Sequence, residues 1–314
     1  MSVMLVTGGA GFIGSHIAER LLQTGHEVRV LDNFSTGRRE NLEPFEGRAE
    51  IVEGDIRDLD TVRRAADSVD VVFHEAALAS VPRSVDDPVT SNEVNVLGTL
   101  NVLVAARDAG ARRLVYASSS SIYGDSEELP KREDMSPAPQ SPYATSKLAG
   151  EHYCRVFSGL YDLDCVALRY FNVFGPRQAP HSQYAAVVPL FVTALLEGRV
   201  PVIYGDGEQS RDFTYVSNVV DANMLAADCE ECSGQVLNAA CGSTVTVNEL
   251  FGRLKELLGT SGAPDYQAPR PGDVKHSFAD IRKARDVLGF EPKVGFEDGL
   301  RLTVDWFRGS SGRG

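Results

Sequence analysis

Thr7-Gly8-Gly9-Ala10-Gly11-Phe12-Ile13-Gly14 is the stretch that decides the fold of this chain. It follows the short apolar run Val3 to Thr7 and opens a segment of helical periodicity that extends to Leu22. Its glycines satisfy both the G-x-G-x-x-G and the G-x-x-G-x-x-G spacing, which permits a tight turn and brings a diphosphate close to the backbone. The helix N-terminus adds a dipole that favours negative charge. The stretch therefore predicts a strand, a turn and a helix that bind a dinucleotide.

A carboxylate is expected at the end of the next strand. Asp32 closes the run Val28 to Leu31, about 20 residues beyond the central glycine, where a carboxylate binds both ribose hydroxyls of NAD and repels the 2′-phosphate of NADP. Arg38 and Arg39 follow closely, so NADP or dual use stays open at this point. Asp55 follows the third apolar run and is expected near the adenine. The sequence favours NAD.

Short β-branched runs alternate with helical segments through the first half of the chain. The runs are Val3 to Thr7, Val28 to Leu31, Ile51 to Glu53, Val69 to Phe73, Leu114 to Ala117 and Cys165 to Tyr170, with a long helix ending near Gly110 and another opening around Tyr143. This alternation predicts an α/β fold, a doubly wound (Rossmann) parallel sheet, with a smaller, mixed α/β C-terminal lobe that binds the substrate.

The residue composition and the length of the predicted elements change after Asn172, where loops rich in glycine and proline separate short helices and strands. We expect residues 1–172 to form the cofactor-binding domain, with its sheet completed by a later segment at about 212–240. Residues 173–308 are expected to form mainly the substrate-binding lobe, and residues 309–314 a disordered tail.

The 314 residues carry a formal net charge of −13, which works against binding to nucleic acid and to anionic membrane surfaces. No stretch has the leader pattern or the length of a membrane span, so we expect a cytoplasmic protein. Cys229 and Cys232 form one C-x-x-C, but no second ligand pair or nearby histidine accompanies it. No metal site is therefore expected.

Tyr143 and Lys147 lie four positions apart on one predicted helix, separated by a rise of roughly 6 Å. An ammonium near a phenol stabilises the phenolate, which lowers the phenol pKa and lets it act as a base. The run Ser118 to Gly124 ends another strand at the edge where ligands bind to open α/β sheets. These residues predict a catalytic site beside the dinucleotide.

These motifs together resemble those of the extended short-chain dehydrogenase/reductase family. The resemblance includes Thr7 to Gly14, Asp32 to Gly37, His74 to Ala77, Ser118 to Gly124 and Tyr143 to Lys147, and it extends from Val3 to about Phe307. Within that family the chain is similar to the nucleotide-sugar 4-epimerases that act on UDP-hexoses.

The resemblance implies an NAD that is reduced and reoxidised within each cycle. Tyr143 would take the proton of the sugar 4-hydroxyl, Lys147 would tune Tyr143 and hold the nicotinamide ribose, and Ser119 would hydrogen-bond O4. The cofactor contacts so implied are Gly8, Gly11, Phe12, Ile13, Gly14, Asp32, Asn33, Ser35, Thr36, Gly37, Asp55, Ile56, Ala76, Ala77, Asn95, Tyr143 and Lys147.

The resemblance also implies where a UDP-sugar would bind. Arg211 and Arg270 would hold the diphosphate on the side of Asn172, because a guanidinium fork suits phosphate oxygens. The full set of substrate contacts is Ser80, Ser119, Ser120, Ser121, Tyr143, Asn172, Val187, Val188, Tyr204, Arg211, Arg270, Asp273 and Ser277, with Val187, Val188 and Tyr204 at the uracil and Asp273 at the ribose.

Two sequence features bear on the reaction and the sugar. Ser120 and Ser121 occupy positions at which related dehydratases and decarboxylases carry acidic residues, so the resemblance favours epimerisation. Ser277 is small where glucose-restricted epimerases tend to carry tyrosine, which leaves room for an N-acetyl group. We expect UDP-GlcNAc and UDP-GalNAc as substrates, alongside UDP-Glc and UDP-Gal. UDP-glucuronate 4-epimerisation, decarboxylation of a UDP-sugar acid and a non-catalytic NAD-binding regulator stay open as alternatives.

Members of this family commonly dimerise through two long helices, here about Pro88 to Ala109 and Tyr143 to Ser158. A homodimer is therefore expected. Apolar residues that either form this contact or face the sheet are Val96, Leu100, Leu103 and Val156.

Overall fold

The fold is that of a computed structural model, which describes residues 2–179, 186–269 and 275–311. The strands in these ranges are β1 (Val3–Thr7), β2 (Glu27–Asp32), β3 (Glu50–Glu53), β4 (Val71–His74), β5 (Arg113–Ser119), β6 (Asp164–Tyr170), β7 (Val173–Phe174), β8 (Val202–Tyr204), β9 (Ser210–Arg211), β10 (Thr214–Tyr215), β11 (Val236–Ala239), β12 (Val245–Thr246), β13 (Asp265–Gln267) and β14 (His276–Ser277). The α-helices are α1 (Phe12–Gln23), α2 (Leu59–Ala66), α3 (Val81–Asp86), α4 (Pro88–Asn92), α5 (Gly98–Asp108), α6 (Pro142–Leu160), α7 (Val187–Leu196), α8 (Val216–Asp228), α9 (Val247–Leu258), α10 (Arg282–Leu288) and α11 (Phe296–Ser311).

Seven parallel strands form the main sheet, in the order β11-β6-β5-β4-β1-β2-β3. Neighbouring residues of a strand enter different core layers: Leu114 packs into one and Val115 into the other. Helices cover both faces, with α1 and α8 on one side and α2, α5 and α6 on the other. This arrangement confirms the predicted doubly wound parallel sheet.

The late strand β11 extends the sheet beside β6, with Leu237 opposite Leu168. This strand lies within the segment at about 212–240 that was expected to complete the sheet. The predicted strand at Val69 to Phe73 is present but begins at Val71, because Val69 belongs to the turn that leads into it. The predicted helix at Pro88 to Ala109 consists of α4, a π-helical turn over Glu93–Leu97, and α5, which ends at Asp108.

The second lobe is a mixed α/β layer with its own apolar core. β7 pairs with β10, β8 with β13, and β9 lies between β12 and β14. Phe174, Phe191 and Phe213 pack among α7, α9 and α11 in that core. This lobe places β9 and its neighbours opposite the carboxyl edge of the main sheet, where α/β enzymes bind their ligands.

The last helix differs from the sequence-based expectation. α11 continues to Ser311, so the backbone of residues 309–311 is helical where a disordered tail was predicted. Gly309 does not adopt the left-handed conformation with which a glycine ends a helix, as Gly289 does after α10. The helix therefore passes through Gly309.

Candidate active site

The glycine turn between β1 and α1 is closely packed against its surroundings. Gly8 has φ +69°, and a Cβ atom there would lie 2.6 Å from the backbone nitrogen of Ala76. A Cβ atom on Gly14 would lie 2.3 Å from the carbonyl oxygen of Gly8. Both positions require glycine, since a side chain would displace backbone atoms. Without side chains at these two positions, a diphosphate can approach the turn and the start of α1 closely.

Asp32 stands at the end of β2, at the far side of this turn. Its Oδ2 accepts a hydrogen bond from the backbone N–H of Ala10 at 2.9 Å, and its Oδ1 accepts one from Phe34 at 2.8 Å. Burial raises the pKa of Asp32, and these two hydrogen bonds act in the opposite direction. Gly37 lies close by, where a Cβ atom would come within 2.8 Å of both carboxylate oxygens. The carboxylate is therefore held in a fixed orientation.

The glycine turn and Asp32 line one cavity along the carboxyl edge of the sheet. Fourteen of the predicted cofactor residues line it: Gly8, Gly11, Phe12, Ile13, Gly14, Asp32, Asn33, Ser35, Thr36, Gly37, Asp55, Ile56, Ala76 and Ala77. Arg57 and Asn33 hydrogen-bond Asp55, and the bond from Arg57 contributes most to lowering the pKa of Asp55 to about 2. The glycine cradle and the fixed carboxylate fit an NAD in this cavity.

Other residues support or extend the cavity. Asn95 lies behind its wall rather than in its lining: its Oδ1 accepts from the backbone N–H of Leu78, and its Nδ2 donates to Ser146 Oγ at 3.1 Å. Sequence reasoning missed Glu75 and Arg177, which both line the cavity. Arg177 has φ +67° and pairs with Glu19 at 2.5 Å. Its position after the Gly175-Pro176 turn was the available signal.

The two arginines that left NADP open are paired with acidic residues. Arg38 contacts Glu40 at 3.2 Å, and Arg39 contacts Glu53 at 2.6 Å while it stacks on Phe34. A cavity with Asp32 at its edge and these guanidinium groups already paired favours a ribose without a 2′-phosphate.

The predicted catalytic residues meet at the ends of β5 and α6. Ser141 caps α6 by accepting the N–H of Ala144 at 3.1 Å, which places Tyr143 and Lys147 on the first turns of the helix. Tyr143 is hydrogen-bonded to Ser119, whose Oγ also accepts the hydroxyl of Ser121 at 2.9 Å. The structure thus brings Tyr143 and Ser119 into contact.

The ionisation of the catalytic phenol differs from the expectation. Burial raises the pKa of Tyr143, the hydrogen bond with Ser119 opposes that rise, and the negative charge of Glu75 adds to it. The prediction that Lys147 lowers the phenol pKa was therefore wrong for this structure. Nζ of Lys147 donates instead to the carbonyl oxygen of Ala117 at 2.8 Å, and burial lowers the pKa of Lys147 to about 8.

A second cavity lies between the sheet edge and the smaller lobe. Five predicted substrate residues line it: Asn172, Val187, Val188, Tyr204 and Arg211. Its remaining lining is mostly apolar and aromatic, with Phe174, Phe191 and Phe213 among the residues. The amide of Gln209 donates to the carbonyl oxygen of Tyr204 at 2.8 Å and fixes this wall. The cavity combines apolar walls with a guanidinium, as a nucleotide site requires.

The other predicted substrate residues lie at different distances from this cavity. Ser277 on β14 is the register partner of Arg211 on β9, so it stands directly beside the arginine. Ser120 and Ser121 lie on the 3-10 turn after β5. Ser80 caps α3 by accepting the N–H of Arg83 at 3.2 Å. The predicted residues Arg270 and Asp273 lie outside the described residues.

Comparison with known proteins bears on these two cavities. The model of the NAD dependent epimerase/dehydratase family matches residues 4–240. The chain belongs to this family. It is 44% identical over 311 residues to the UDP-glucose 4-epimerase of Mycolicibacterium smegmatis, with 98% of this chain and 99% of that protein covered.

Solved structures of epimerases share the whole fold. A UDP-N-acetylglucosamine 4-epimerase from Methanobrevibacter ruminantium, in complex with UDP-N-acetylmuramic acid, is 43% identical with a TM-score of 0.94, covering 98% of this chain and 99% of the other. A UDP-glucose 4-epimerase from Thermus thermophilus, in complex with NAD, is 44% identical with a TM-score of 0.89, and again 98% of this chain and 99% of the other are covered. UDP-glucuronic acid decarboxylase 1 of Xenopus tropicalis is also similar, at 36% identity over 310 residues, 97% of this chain and 72% of that protein.

Membership of the epimerase/dehydratase family confirms NAD as the cofactor. Among the described residues, no group of three or more His, Cys, Asp or Glu side chains is arranged to hold a metal ion. No helix within the described ranges is both long and apolar enough to cross a membrane. The predicted cytoplasmic location stays a prediction.

Proposed function

We propose that the protein is an NAD-dependent UDP-sugar 4-epimerase that converts UDP-GlcNAc and UDP-GalNAc, alongside UDP-Glc and UDP-Gal. The observation that carries the proposal is the contact of Tyr143 with Ser119 at the sheet edge that also bears the dinucleotide cavity. A second cavity adjoins the first, since Ala186 lines both. The similarity to 4-epimerases over the whole chain supports it.

The dinucleotide cavity supplies the redox partner. The glycine turn would hold the diphosphate of NAD, and Asp32 would hold the adenosine ribose. When bound, NAD provides an acceptor that takes the hydride of C4 and returns it to the opposite face of the sugar. The protein's own task is to move one proton and to hold the sugar in two orientations.

Tyr143 is the group that would accept the proton of the 4-hydroxyl. Its raised pKa makes the phenolate a strong base once it forms, and the hydrogen bond with Ser119 favours that charged form. Ser119 would share a proton with O4, because its Oγ already joins the phenol to the hydroxyl of Ser121. The same groups would return the proton, so the net reaction is an isomerisation.

The second cavity would hold the UDP group. Arg211 suits the diphosphate, and the apolar wall around Val187 and Tyr204 suits a uracil ring. Arg270 and Asp273 are proposed for the diphosphate and the ribose from sequence alone, since they lie outside the described residues. An anchor at the nucleotide leaves the hexose free to turn over.

Ser277 is proposed to decide which hexoses enter. It is half-buried, pairs with Arg211, and its carbonyl oxygen accepts the N–H of Asp212 at 2.9 Å. The backbone at this point is therefore fixed, and the size of the side chain alone sets the space beside the diphosphate site. A hydroxymethyl group leaves room for a C2 acetamido group that a tyrosine ring would fill.

The test is proton NMR of purified protein with UDP-GlcNAc and UDP-Glc in separate samples. Appearance of both 4-epimers supports the proposal, and turnover of UDP-Glc alone would contradict the role of Ser277. If neither sugar reacts after NAD is supplied, UDP-glucuronate should be tested: its 4-epimer would indicate a glucuronate epimerase, and release of CO2 a decarboxylase. The similarity to UDP-glucuronic acid decarboxylase 1 makes this arm necessary.

A matched pair of variants tests whether the size of the side chain at position 277 decides which hexoses bind. Ser277→Tyr should lower kcat/KM for UDP-GlcNAc by at least roughly tenfold, because the tyrosine ring would occupy the space of the acetamido group; a factor of ten corresponds to about 1.4 kcal/mol. The value for UDP-Glc, which lacks that group, should stay within about twofold. Ser277→Ala removes the hydroxyl without adding bulk and should leave both sugars unchanged. An equal decrease of kcat/KM for the two sugars in Ser277→Tyr would refute this role of Ser277.

We propose a homodimer, formed by the surface where α3 and α4 pack against α6. Val85, Val89, Val156 and Leu160 on these helices are at least 49% exposed, whereas Leu103 is fully buried against the sheet. Exposed apolar side chains grouped on adjacent helices are typical of an isologous interface.

A further inference from the structure

Glu75 is a carboxylate in the cofactor cavity to which the reaction assigns no task. It follows β4, and its backbone N–H donates to the carbonyl oxygen of Thr7 at 3.2 Å. This bond ties it to the first residue of the glycine turn. It lines the same cavity as Asp32 but directly follows the central strand of the sheet. A charged group in the lining of a cofactor site needs a reason, since burial of a charge is costly.

Glu75 accepts a hydrogen bond that favours its charged form against the effect of burial. The hydroxyl of Tyr170 donates to Oε1 of Glu75 at 2.7 Å, and the side-chain amide of Asn223 donates to the Tyr170 oxygen at 2.8 Å. The amide in turn donates to the carbonyl oxygen of Val219 at 2.8 Å. The chain of donors thus ends on the carboxylate, as it should if Glu75 accepts hydrogen bonds in its ionised state.

The charge of Glu75 acts on the catalytic residues. It stands close enough to Lys147 to oppose the effect of burial on the ammonium, and it raises the pKa of Tyr143. Burial raises the pKa of Glu75 itself to about 7, which Tyr170 and Lys147 oppose. The geometry agrees, because Tyr170, which donates to Glu75, is the register partner of Ser119 on the neighbouring strand, so the carboxylate lies beside the catalytic residues and away from Asp32.

We propose that Glu75 is a positioning residue that sets the redox preference of the bound cofactor. This inference rests on the proposed function, because it takes the nicotinamide to lie where Glu75 approaches Ser119, Tyr143 and Lys147. The oxidised ring carries one positive charge that disappears when it accepts a hydride. A fixed negative charge nearby stabilises the oxidised form relative to the reduced form. Glu75 would thereby favour transfer of the hydride from the reduced cofactor back to the 4-keto sugar, the step that restores the oxidised cofactor in each turnover.

The experiment compares the affinities of the two cofactor forms without any sugar. Protein stripped of nucleotide is titrated calorimetrically with NAD+ and with NADH at about pH 8, above the pKa of Glu75. Glu75→Gln should shift the ratio of the two dissociation constants toward NADH by about tenfold, as expected for the loss of one unit charge near the ring. Glutamine keeps an acceptor for Tyr170, so the variant should fold.

Glu75→Asp is the matched control because it shortens the side chain and keeps the charge. A ratio within about threefold of the wild type for this variant, together with the shift for Glu75→Gln, supports the proposal. A Glu75→Gln ratio equal to that of the wild type overturns it. So does an equal shift in both variants, which would show that packing and not charge is responsible.

The titration separates this inference from the function. Wild-type protein that binds both cofactor forms but epimerises no sugar would contradict the proposed function and leave the Glu75 result readable. A further readout is the fraction of reduced cofactor, measured by its absorbance after incubation of the holoenzyme with UDP-sugar. That fraction should rise in Glu75→Gln and not in Glu75→Asp, and the reverse order would overturn the proposal.

Discussion

Replacement of Glu151 by glutamine would leave a buried guanidinium without its counter-charge. Glu151 lies on α6, one turn beyond Lys147, and accepts hydrogen bonds from Nε and Nη2 of Arg169 at 2.8 and 2.7 Å. The hydroxyl of Ser118 donates to the same carboxylate at 2.5 Å. Both charged side chains are only 4% exposed. This cluster fastens the catalytic helix to β5 and β6.

The expected loss of stability follows from that burial. A buried ion pair broken on one side costs about 3–5 kcal/mol, because the remaining charge keeps its desolvation penalty. Glutamine retains one oxygen that can accept from Arg169, so we expect about 3 kcal/mol for Glu151→Gln. Nη1 of Arg169 has no hydrogen-bond partner among the described residues, and the guanidinium lies over the Tyr123 ring, so Glu151 supplies the hydrogen-bonded counter-charge.

The assay is urea denaturation followed by circular dichroism, with NAD absent from all samples. Asp60→Asn is the control, since Asp60 and Arg63 form a pair of the same chemistry that is 81% and 49% exposed, and its loss should cost less than about 1 kcal/mol. If Glu151→Gln destabilises the protein no more than Asp60→Asn does, the reasoning from burial is refuted. A double-mutant cycle with Arg169→Met would then show whether the two side chains are coupled at all.

Three further predictions concern the cofactor turn, acid stability and assembly. Gly14→Ala places a Cβ atom 2.3 Å from a backbone oxygen and should weaken NAD binding at least about tenfold by calorimetry, whereas Gly159→Ala, with open space around it, should leave binding unchanged. Burial lowers the pKa of His74 to about 3 from 6.5, so below pH 6.5 only the unfolded state takes up a proton there. The free energy of unfolding should therefore decrease as the pH is lowered below 6.5, by up to about 1.4 kcal/mol per pH unit. Denaturation at several pH values should show that His74→Asn lacks this contribution. Leu160→Glu, at a side chain 70% exposed on α6, should yield monomers in size-exclusion chromatography with light scattering, and Leu302→Glu on α11 should not; dimers of both would exclude the proposed interface.

Local patterns carried the sequence-based prediction of the fold and of much of the site. The turn from Gly8 to Gly14 and the carboxylate of Asp32 depend on spacing along one strand and helix, and the structure places them in one cavity as predicted. The same holds for Tyr143 and Lys147, since four positions on a helix determine a shared face.

Properties that depend on distant segments could not be predicted. The pKa of Tyr143 is set partly by Glu75, which is 68 positions away along the chain and reaches the phenol only through the order of the strands. Asn95 was expected in the cavity, but its amide supports the wall because Leu78 turns toward it. Arg177 lines the cavity with an uncommon positive φ; the Gly175-Pro176 turn before it indicated a loop, but not where that loop lies relative to the cavity.

The position of β11 has a consequence for how the protein is made. The edge of β6 stays unpaired, and the apolar face that α8 covers stays open, until residues beyond Ala239 have left the ribosome. A nascent chain that ends near Asn172 therefore holds every glycine of the cofactor turn, yet it exposes an unpaired strand edge to its neighbours. Expression of residues 1–172 alone should yield aggregates, because the change in composition after Asn172 does not mark the end of a unit that can fold by itself.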